Sequence, residues 1–271
     1  MSPADLVAAR PMRAALGALF ALALGVIYLP LLVMMVFSFN SGRYQTLPFR
    51  EPTLQWYLRI AEDRGFIEGL GNSLAIAITA SLLATLLGFL AAYGFHRARL
   101  PGKPVLIGLV LAPLAVPLIL IGIGMRLQIT ALGLQPALWL VLLGQTVYVL
   151  PLAVLNLRAR LLRVPPSLEE AALSLGAGRV RAIFGIVAPA CGSTLVATLL
   201  LTFTFAFDEF VIAYFLTNFE ITLPIKIWTT LVTGFDPTIN AVGTAVFLFS
   251  LCIGVAAQVV LLARQPRGAG A

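Results

Sequence analysis

Six long apolar runs, separated by shorter polar connections, dominate the pattern along this chain. Each run can cross the hydrocarbon core of a bilayer, which is about 30 Å thick and needs roughly 20 helical residues. The first run is longer than the roughly 7–15 apolar residues of a signal peptide, so it predicts an uncleaved helix. We therefore expect transmembrane helices at residues 14–39, 74–95, 105–125, 137–157, 192–216 and 241–263.

One connection, residues 159–190, has an amphipathic pattern instead. Two consecutive prolines precede Ser167, and Glu170 follows it at the spacing of a capping box, in which both side chains bond to free amides at a helix start. Gly176 then supplies a residue suited to the left-handed conformation that ends a helix. Between these signals, one apolar stripe at helical spacing consists of Leu168, Ala171, Ala172 and Leu175.

A second apolar stripe follows Gly176, on a segment that carries Arg179 and Arg181 and ends near Pro189. This stripe consists of Val180, Ile183, Phe184 and Val187. The pattern predicts two short helices joined by a turn, polar on one side and apolar on the other. We call residues 165–190 the elbow.

Composition agrees with a membrane protein, because 60% of the residues are hydrophobic and 11% are charged, whereas soluble domains are about 45–50% apolar. The net charge of +7 would suit nucleic acid, but its placement argues against that partner. Basic residues concentrate on the cytoplasmic side of membrane proteins. We therefore predict an all-α integral membrane protein with membrane lipid, and no nucleic acid, as a partner.

The distribution of Lys and Arg predicts the orientation of the chain. With the N-terminus inside, twelve basic residues are cytoplasmic: Arg10, Arg13, Arg97, Arg99, Lys103, Arg158, Arg160, Arg163, Arg179, Arg181, Arg264 and Arg267. Six are external: Arg43, Arg50, Arg59, Arg64, Arg126 and Lys226. This asymmetry favours six spans with both termini in the cytoplasm, and it also places the elbow there.

Two adjacent acids lie within the fifth expected helix. If that helix starts near Gly192, Asp208 lies about 24 Å along it at about 1.5 Å per residue. Ionisable groups at this depth usually face a polar pathway or a partner. Asp208 and Glu209 are therefore predicted to line a substrate pathway. Neighbouring residues on a helix point about 100° apart, so at most one of the two acids need face the pathway, and Asp208 is the favoured one. The alternative is a carboxylate pair at a helix end in the external headgroup region.

The fourth expected helix carries the polar residues Gln145, Thr146 and Tyr148. Tyr148 is a further candidate for the pathway. Gln and Thr within a membrane also join helices through hydrogen bonds, and this role is the more favoured one for Gln145 and Thr146.

The chain has no motif for chemistry of its own. No P-loop and no hydrolase or metalloprotease signature is present, so no catalytic residue is predicted. Cys191 and Cys252 lie far apart within apolar segments and are interpreted as small apolar residues, so no metal site is predicted. Energy for any transport must come from a partner or from an ion gradient.

The elbow resembles the EAA loop of the membrane permease subunits of binding-protein-dependent ABC importers. The resemblance is carried by Glu170-Ala171-Ala172, by Gly176-Ala177 after three further residues, and by Ile186 and Pro189. Ala188 departs from the family, which usually has Leu there. The resemblance implies a type I importer permease fold and a coupling helix that binds a groove of a cytoplasmic ATPase. The alternative is an amphipathic connector on the membrane surface.

The implied coupling residues are Glu170, Ala171, Ala172, Leu175, Gly176 and Ala177. In this interpretation the stripe fills the ATPase groove, and the small side chains of Ala171 and Ala172 set how closely the helix approaches it. The implied partners are a homologous second permease subunit, two ATPase subunits and a periplasmic solute-binding protein. ATP and Mg would be bound by the ATPase, with no cofactor on this chain.

The resemblance extends over most of the chain and is most similar to the spermidine/putrescine branch. It is carried by Tyr28-Leu29-Pro30, Ser38-Phe39-Asn40-Ser41, Trp56-Tyr57, Asn72-Ser73-Leu74, Leu150-Pro151, Phe207-Asp208-Glu209-Phe210, Leu223-Pro224-Ile225-Lys226 and Pro237-Thr238-Ile239-Asn240. That branch commonly has two adjacent acids where this chain has Asp208 and Glu209. It implies a multi-pass permease of the bacterial inner membrane that imports a polyamine.

Two alternatives remain open at this point. Relatives with the same signature transport amino acids, opines and phosphonates, so another amine-containing solute would also suit the two acids. A self-sufficient secondary transporter is the other class, but it would normally show repeated hydropathy halves and broken helices near the midplane.

Overall fold

The computed structural model describes residues 3–263, except Gln45, Leu47, Arg99, Leu100, Phe219 and Phe235. Within these residues the chain is helical, and the one extended pairing is an antiparallel bridge between Asn40 and Pro52. Three basic residues that contribute to the predicted orientation lie outside the described residues: Arg99, Arg264 and Arg267.

The helices are numbered here in chain order. They are α1 (Pro3–Phe37), α2 (Gln55–Glu62), α3 (Arg64–Arg97), α4 (Lys103–Leu111), α5 (Leu118–Ala131), α6 (Leu138–Leu161), α7 (Pro166–Ser174), α8 (Arg179–Ala182), α9 (Ala188–Ala190), α10 (Gly192–Phe207), α11 (Val211–Leu216), α12 (Leu223–Thr233) and α13 (Thr238–Ala263). A 3-10 turn, Ala112–Leu114, extends α4, and a π-helical turn, Ile183–Val187, joins α8 to α9.

Four helical segments are long and apolar enough to cross a membrane: Met12–Phe37, Arg64–Arg97, Leu138–Leu161 and Thr238–Val260. Two pairs of segments are bent. Lys103–Leu114 meets Leu118–Ala131 at 97°, and Arg179–Ala190 meets Gly192–Phe207 at 77°. The described helices therefore provide four spans, or up to six if each bent pair forms one span.

Two of the expected helices are interrupted in the structure. Residues 105–125 fall on the first bent pair, where Pro113 lies in the 3-10 turn and Pro117 precedes α5. Proline lacks the amide that would continue the helical ladder, so the chain bends there. Residues 192–216 fall on α10 and α11, which are separated by the non-helical residues 208–210.

Contacts divide the described residues into two units. The first comprises the residues up to Asp63 together with Thr230–Leu248, and the second comprises Arg64–Thr229 together with the residues from Phe249 onward. The elbow and residues 207–216 lie within the second unit.

In the first unit, the initial part of α13 packs closely on α1. A Cβ atom added to Gly243 would lie 2.7 Å from the Sδ atom of Met34, so only glycine allows this approach without a shift of Met34. The loop after α1 is organised around Asn40. Its carbonyl accepts a hydrogen bond of 2.8 Å from Trp56 Nε1, and its side-chain oxygen accepts one of 3.0 Å from the Arg50 amide.

In the second unit, α3 packs along α6 and α10. A Cβ atom added to Gly88 of α3 would lie 2.6 Å from the Cβ atom of Ala153 on α6, which shows how closely the two helices approach. Small residues are favoured at such contacts because helices in lipid associate through packing. One buried cluster consists of Ile76, Ile129, Leu140, Val141, Ile212, Ala213, Leu216 and Ile225. The other consists of Phe89, Ala92, Ala153, Leu157, Leu161, Val164, Val187 and Cys191.

Candidate functional site

The first helix of the elbow, α7, begins differently from the prediction. Its N-cap is Pro165, its first helical residue is Pro166, and it has no side-chain cap hydrogen bond. The predicted capping box of Ser167 and Glu170 is therefore wrong. Proline at the first helical position has a suitable φ and no amide to satisfy, so the helix starts before Ser167 and the hydroxyl has no capping position.

The end of α7 does have the predicted glycine turn. Gly176 has φ +83°, a value that favours glycine. Its amide donates to the Leu173 carbonyl at 3.0 Å, and the Ala177 amide donates to the Ala172 carbonyl at 3.0 Å. These two bonds form a Schellman motif, which satisfies free carbonyls at the helix end and sets the direction of the chain toward α8.

The predicted apolar stripe of α7 divides between two faces. Leu168 and Ala171 are exposed, and Leu175 is 89% exposed at the tip of the elbow. Ala172 is buried on the face where α7 packs against the π-helical turn. The expectation that Ala172 contacts a partner directly does not fit this placement, because a larger side chain there would first clash within the elbow.

The two acids of α7 also differ. Glu170 is exposed, whereas Glu169 is buried. The Glu169 carboxylate accepts a hydrogen bond from the Tyr93 hydroxyl, and its Oε2 atom lies 3.1 Å from Arg97 Nε. The contact with Arg97 is an ion pair rather than an aligned hydrogen bond, since Nε and Nη2 of Arg97 have no hydrogen-bond partner among the described residues.

Sequence reasoning did not single out Glu169, because the local pattern of α7 does not show which of its two acids a neighbouring helix covers. The available signal was on α3, where Tyr93 and Arg97 are four residues apart and so share one face of the helix end. These residues, with Leu173 and Arg179, line a cleft of about 400 Å³ between α3 and the elbow.

The second half of the elbow contains α8, the π-helical turn and α9. Val180 and Phe184 of the predicted second stripe are exposed, and Val187 is buried. At the end of this segment, Arg160 of α6 donates a hydrogen bond of 2.8 Å from Nη2 to the Ala190 carbonyl. The bend of 77° into α10 follows directly, so Arg160 holds the elbow's far end against the last turn of α6.

The second group of predicted site residues lies at the break after α10. Asp208 is the C-cap of α10 and is exposed. Its Oδ2 atom accepts a hydrogen bond of 3.2 Å from the Ser250 hydroxyl of α13. The carboxylate therefore has one side-chain donor and retains further acceptor capacity, as a residue that receives a cation would need.

Glu209 has a different environment from its neighbour. It is buried and accepts hydrogen bonds from the amides of Ile212 at 2.7 Å and Ala213 at 3.2 Å. Gln145 of α6 donates a third bond of 3.4 Å. Glu209 therefore caps the start of α11 and links it to α6, which gives this carboxylate a structural role in the described state.

Tyr148 lies three residues after Gln145 on α6, and the two side chains share one face. Tyr148 is half-buried and packs against the cluster that contains Ile212 and Leu216. Thr146 donates to the Leu142 carbonyl of its own helix at 2.7 Å. The structure thus brings Tyr148, Gln145 and Glu209 to one region of the second unit.

No group of three or more His, Cys, Asp or Glu side chains suited to a metal ion occurs among the described residues. The chemistry available at the break is therefore that of carboxylates, an amide and a phenol. At the elbow it is that of an exposed apolar tip and an ion pair between the buried Glu169 and the half-buried Arg97.

Comparison with known sequences finds membrane components of transport systems. Residues 84–267 match the model of a protein family described as binding-protein-dependent transport system inner membrane component. The spermidine/putrescine transport system permease protein PotC of Escherichia coli (strain K12) is 30% identical over 236 residues, which cover 86% of this chain and 89% of that protein. The putrescine transport system permease protein PotI of the same strain is 28% identical over 228 residues, which cover 81% of each protein.

Among solved structures, the crystal structure of a bacterial ABC transporter involved in the import of the acidic polysaccharide alginate is similar. The match has a TM-score of 0.67 and covers 97% of this chain and 98% of that chain, at 18% sequence identity. At this identity the similarity concerns the fold alone.

Proposed function

We propose that this chain, which belongs to the family of inner membrane components of binding-protein-dependent transport systems, imports a polyamine such as spermidine or putrescine. As a member of this family it is a multi-pass permease subunit of an ABC importer and is not the catalytic subunit. The observation that carries the choice of solute is the similarity to PotC along 86% of the chain. Another amine-containing solute, such as an amino acid, an opine or an aminophosphonate, is the alternative.

The proposed topology has six spans in the bacterial inner membrane, with both termini and the elbow in the cytoplasm. The two-to-one excess of basic residues on that side supports it. Each bent helix pair then contributes one span, and the bend of 77° before α10 marks the exit from the elbow into the fifth span.

The proposed partners are a second, homologous permease subunit, two ATPase subunits and a periplasmic solute-binding protein. The exposed tip of the elbow supports an ATPase contact, because an apolar side chain as exposed as Leu175 (89%) gains most when a partner covers it. Glu170 and Ala171 are exposed on the same helix. Gly176 and Ala177 act by fixing the turn that follows.

The proposed pathway passes the break between α10 and α11. Asp208 is exposed there and attracts the cationic solute after its release from the binding protein. Glu209 and Tyr148 contribute less directly, because Glu209 uses both carboxylate oxygens as acceptors for backbone amides. Irregular backbone within a membrane protein is tolerated where it is covered by protein or faces a polar cavity.

The test is uptake of radiolabelled spermidine into proteoliposomes that contain the chain with its permease, ATPase and binding-protein partners. We expect uptake that requires ATP and is reduced by excess putrescine. Uptake of an amino acid, opine or aminophosphonate with no spermidine uptake would contradict the proposed solute. Uptake that persists when the ATPase subunits are omitted would contradict the proposed energy source.

A further inference from the structure

Glu169 is the acid that joins the first elbow helix to the rest of the chain. It is 9% exposed, and its partners Tyr93 and Arg97 both lie in the last two turns of α3. An acid is buried at a cost unless it is paired, so its position on the inner face of α7 is specified by these two partners.

The ends of the elbow are held by a different helix, α6. The chain enters the elbow directly from α6, and Arg160 of α6 binds the Ala190 carbonyl at the elbow's other end. The second half of the elbow also reaches α3, through the Phe89 and Phe184 rings at 6.5 Å. The first half, which carries the exposed tip, reaches α3 through Glu169.

The other end of α3 is attached to the segment that follows the pathway break. Asn72 donates to the Ile221 carbonyl at 2.9 Å, and the Leu223 amide donates to the Ser73 hydroxyl at 2.9 Å. Gly69 lies close to the backbone of Leu223, because a Cβ atom added to Gly69 would lie 3.3 Å from the Leu223 Cα atom. Since α3 is one continuous helix, residue 73 is separated from residue 97 by about 36 Å of helix at about 1.5 Å per residue.

We propose that Glu169 is a positioning residue whose ion pair with Arg97 transmits displacement of the elbow along α3 to residues 221–223. This role rests on the proposed coupling function of the elbow. The ion pair joins α7 to α3. The hydrogen bonds of Asn72 and Ser73 join α3 to the external end of the pathway. An ion pair between positions 97 and 169 is therefore as necessary for transmission as the exposed tip is for binding the ATPase.

The first experiment needs neither solute nor ATPase. Cys191 is replaced by Ala and Cys252 by Ser, and the exposed Glu220 is changed to Cys beside the attached segment. We expect Glu169→Gln and Arg97→Gln each to raise the rate of maleimide labelling at position 220 about threefold, within the range of long-range coupling effects. Asn72→Ala is the positive control, since it frees Ile221 directly. Arg163→Gln, which removes an exposed charge on the elbow side of the chain, is the matched control and leaves the rate unchanged.

The second experiment uses the complete complex with spermidine-loaded binding protein. We expect Glu169→Gln and Arg97→Gln to retain bound ATPase and basal ATP hydrolysis but to lose most of the stimulation by loaded binding protein. The exchanged pair, Arg97→Glu with Glu169→Arg, restores at least half of both readouts. A merely local contact would not change labelling so far away.

Two results would overturn this role of Glu169. Labelling at position 220 that is unchanged in both single variants would show that α3 does not carry the displacement. Loss of the folded chain in both single variants and in the exchanged pair would show that the contact serves folding alone. If both single variants raise the labelling rate at position 220 but the complex takes up no spermidine, the proposed solute fails and the role of Glu169 stands.

Discussion

The carboxylate of Glu209 accepts a hydrogen bond of 2.7 Å from the backbone amide of Ile212, three residues further along the chain. With the second bond from Ala213, this contact satisfies two amides at the start of α11 that no carbonyl of the broken helix can reach. The adjacent acid, Asp208, is exposed and bonds to Ser250 of another helix. Two neighbouring carboxylates in one helix break therefore have separable roles, and each can be tested.

Glu209→Ala should destabilise the protein more than Asp208→Ala does. The substitution leaves buried amides without acceptors, which costs about 1–3 kcal/mol, whereas loss of an exposed side chain usually changes stability by less than about 0.5 kcal/mol. Thermal unfolding in detergent measures the stability of both Ala variants. Glu209→Gln, which keeps one acceptor oxygen, should fall between them, and equal midpoints for the two Ala variants would contradict the capping role.

Asp208→Asn should reduce uptake of a cationic solute while the complex still assembles. Losing one favourable charge interaction of about 1.4 kcal/mol corresponds to a tenfold weaker interaction, so the expected decrease in uptake at low spermidine concentration is about tenfold. Radiolabelled uptake into proteoliposomes measures it, and Glu220→Gln is the matched control because Glu220 is also an exposed acid. Unchanged uptake would return Asp208 to a structural role at the helix end.

Gly176→Ala should impair coupling, whereas Gly178→Ala should not. Gly176 has φ +83°, where a side chain costs about 1–2 kcal/mol, and Gly178 has φ −67°, which suits any residue. A Cβ atom added to either glycine would have no atom within 4 Å. The two variants therefore differ only in the backbone strain that alanine causes at position 176. The measurement is ATP hydrolysis with and without loaded binding protein, and equal stimulation in both variants would refute a role for the turn.

Leu175→Ser should weaken binding of the ATPase without destabilising the chain. Covering a leucine contributes about 1.5–3 kcal/mol, so we expect association to weaken by about tenfold or more. Leu162→Ser is the control, since Leu162 is 63% exposed at the entry to the elbow. Co-purification at graded ATPase concentrations separates the two variants, and parallel losses would place the contact elsewhere.

The proposed topology predicts opposite labelling of two exposed positions. In a chain without Cys191 and Cys252, Val180→Cys should react with an impermeant maleimide only from the cytoplasmic side, and Leu58→Cys only from outside. Both side chains are well exposed, at 70% and 64%. Labelling of intact cells and of inverted vesicles measures the accessibility of each position. The reverse pattern would contradict the proposed topology.

The elbow illustrates which features a local pattern can specify. The glycine turn at Gly176 was predictable because a left-handed residue and its Schellman bonds involve only residues 172–177. The helix start was not, because two adjacent prolines moved it ahead of Ser167. The long apolar runs were equally visible, since a helix that crosses lipid must be apolar along its length.

The sequence by itself determined that this chain is a helical membrane protein with an amphipathic elbow and two acids in its fifth apolar run. Only the tertiary structure decided which acid of each pair is buried. The bonds of Glu169 to Tyr93 and of Glu209 to Gln145 join residues 76 and 64 positions apart, which no local periodicity reports. The physical reason is that lipid and protein interior are both apolar, so a hydrophobic pattern in a membrane helix does not reveal which face a neighbouring helix covers.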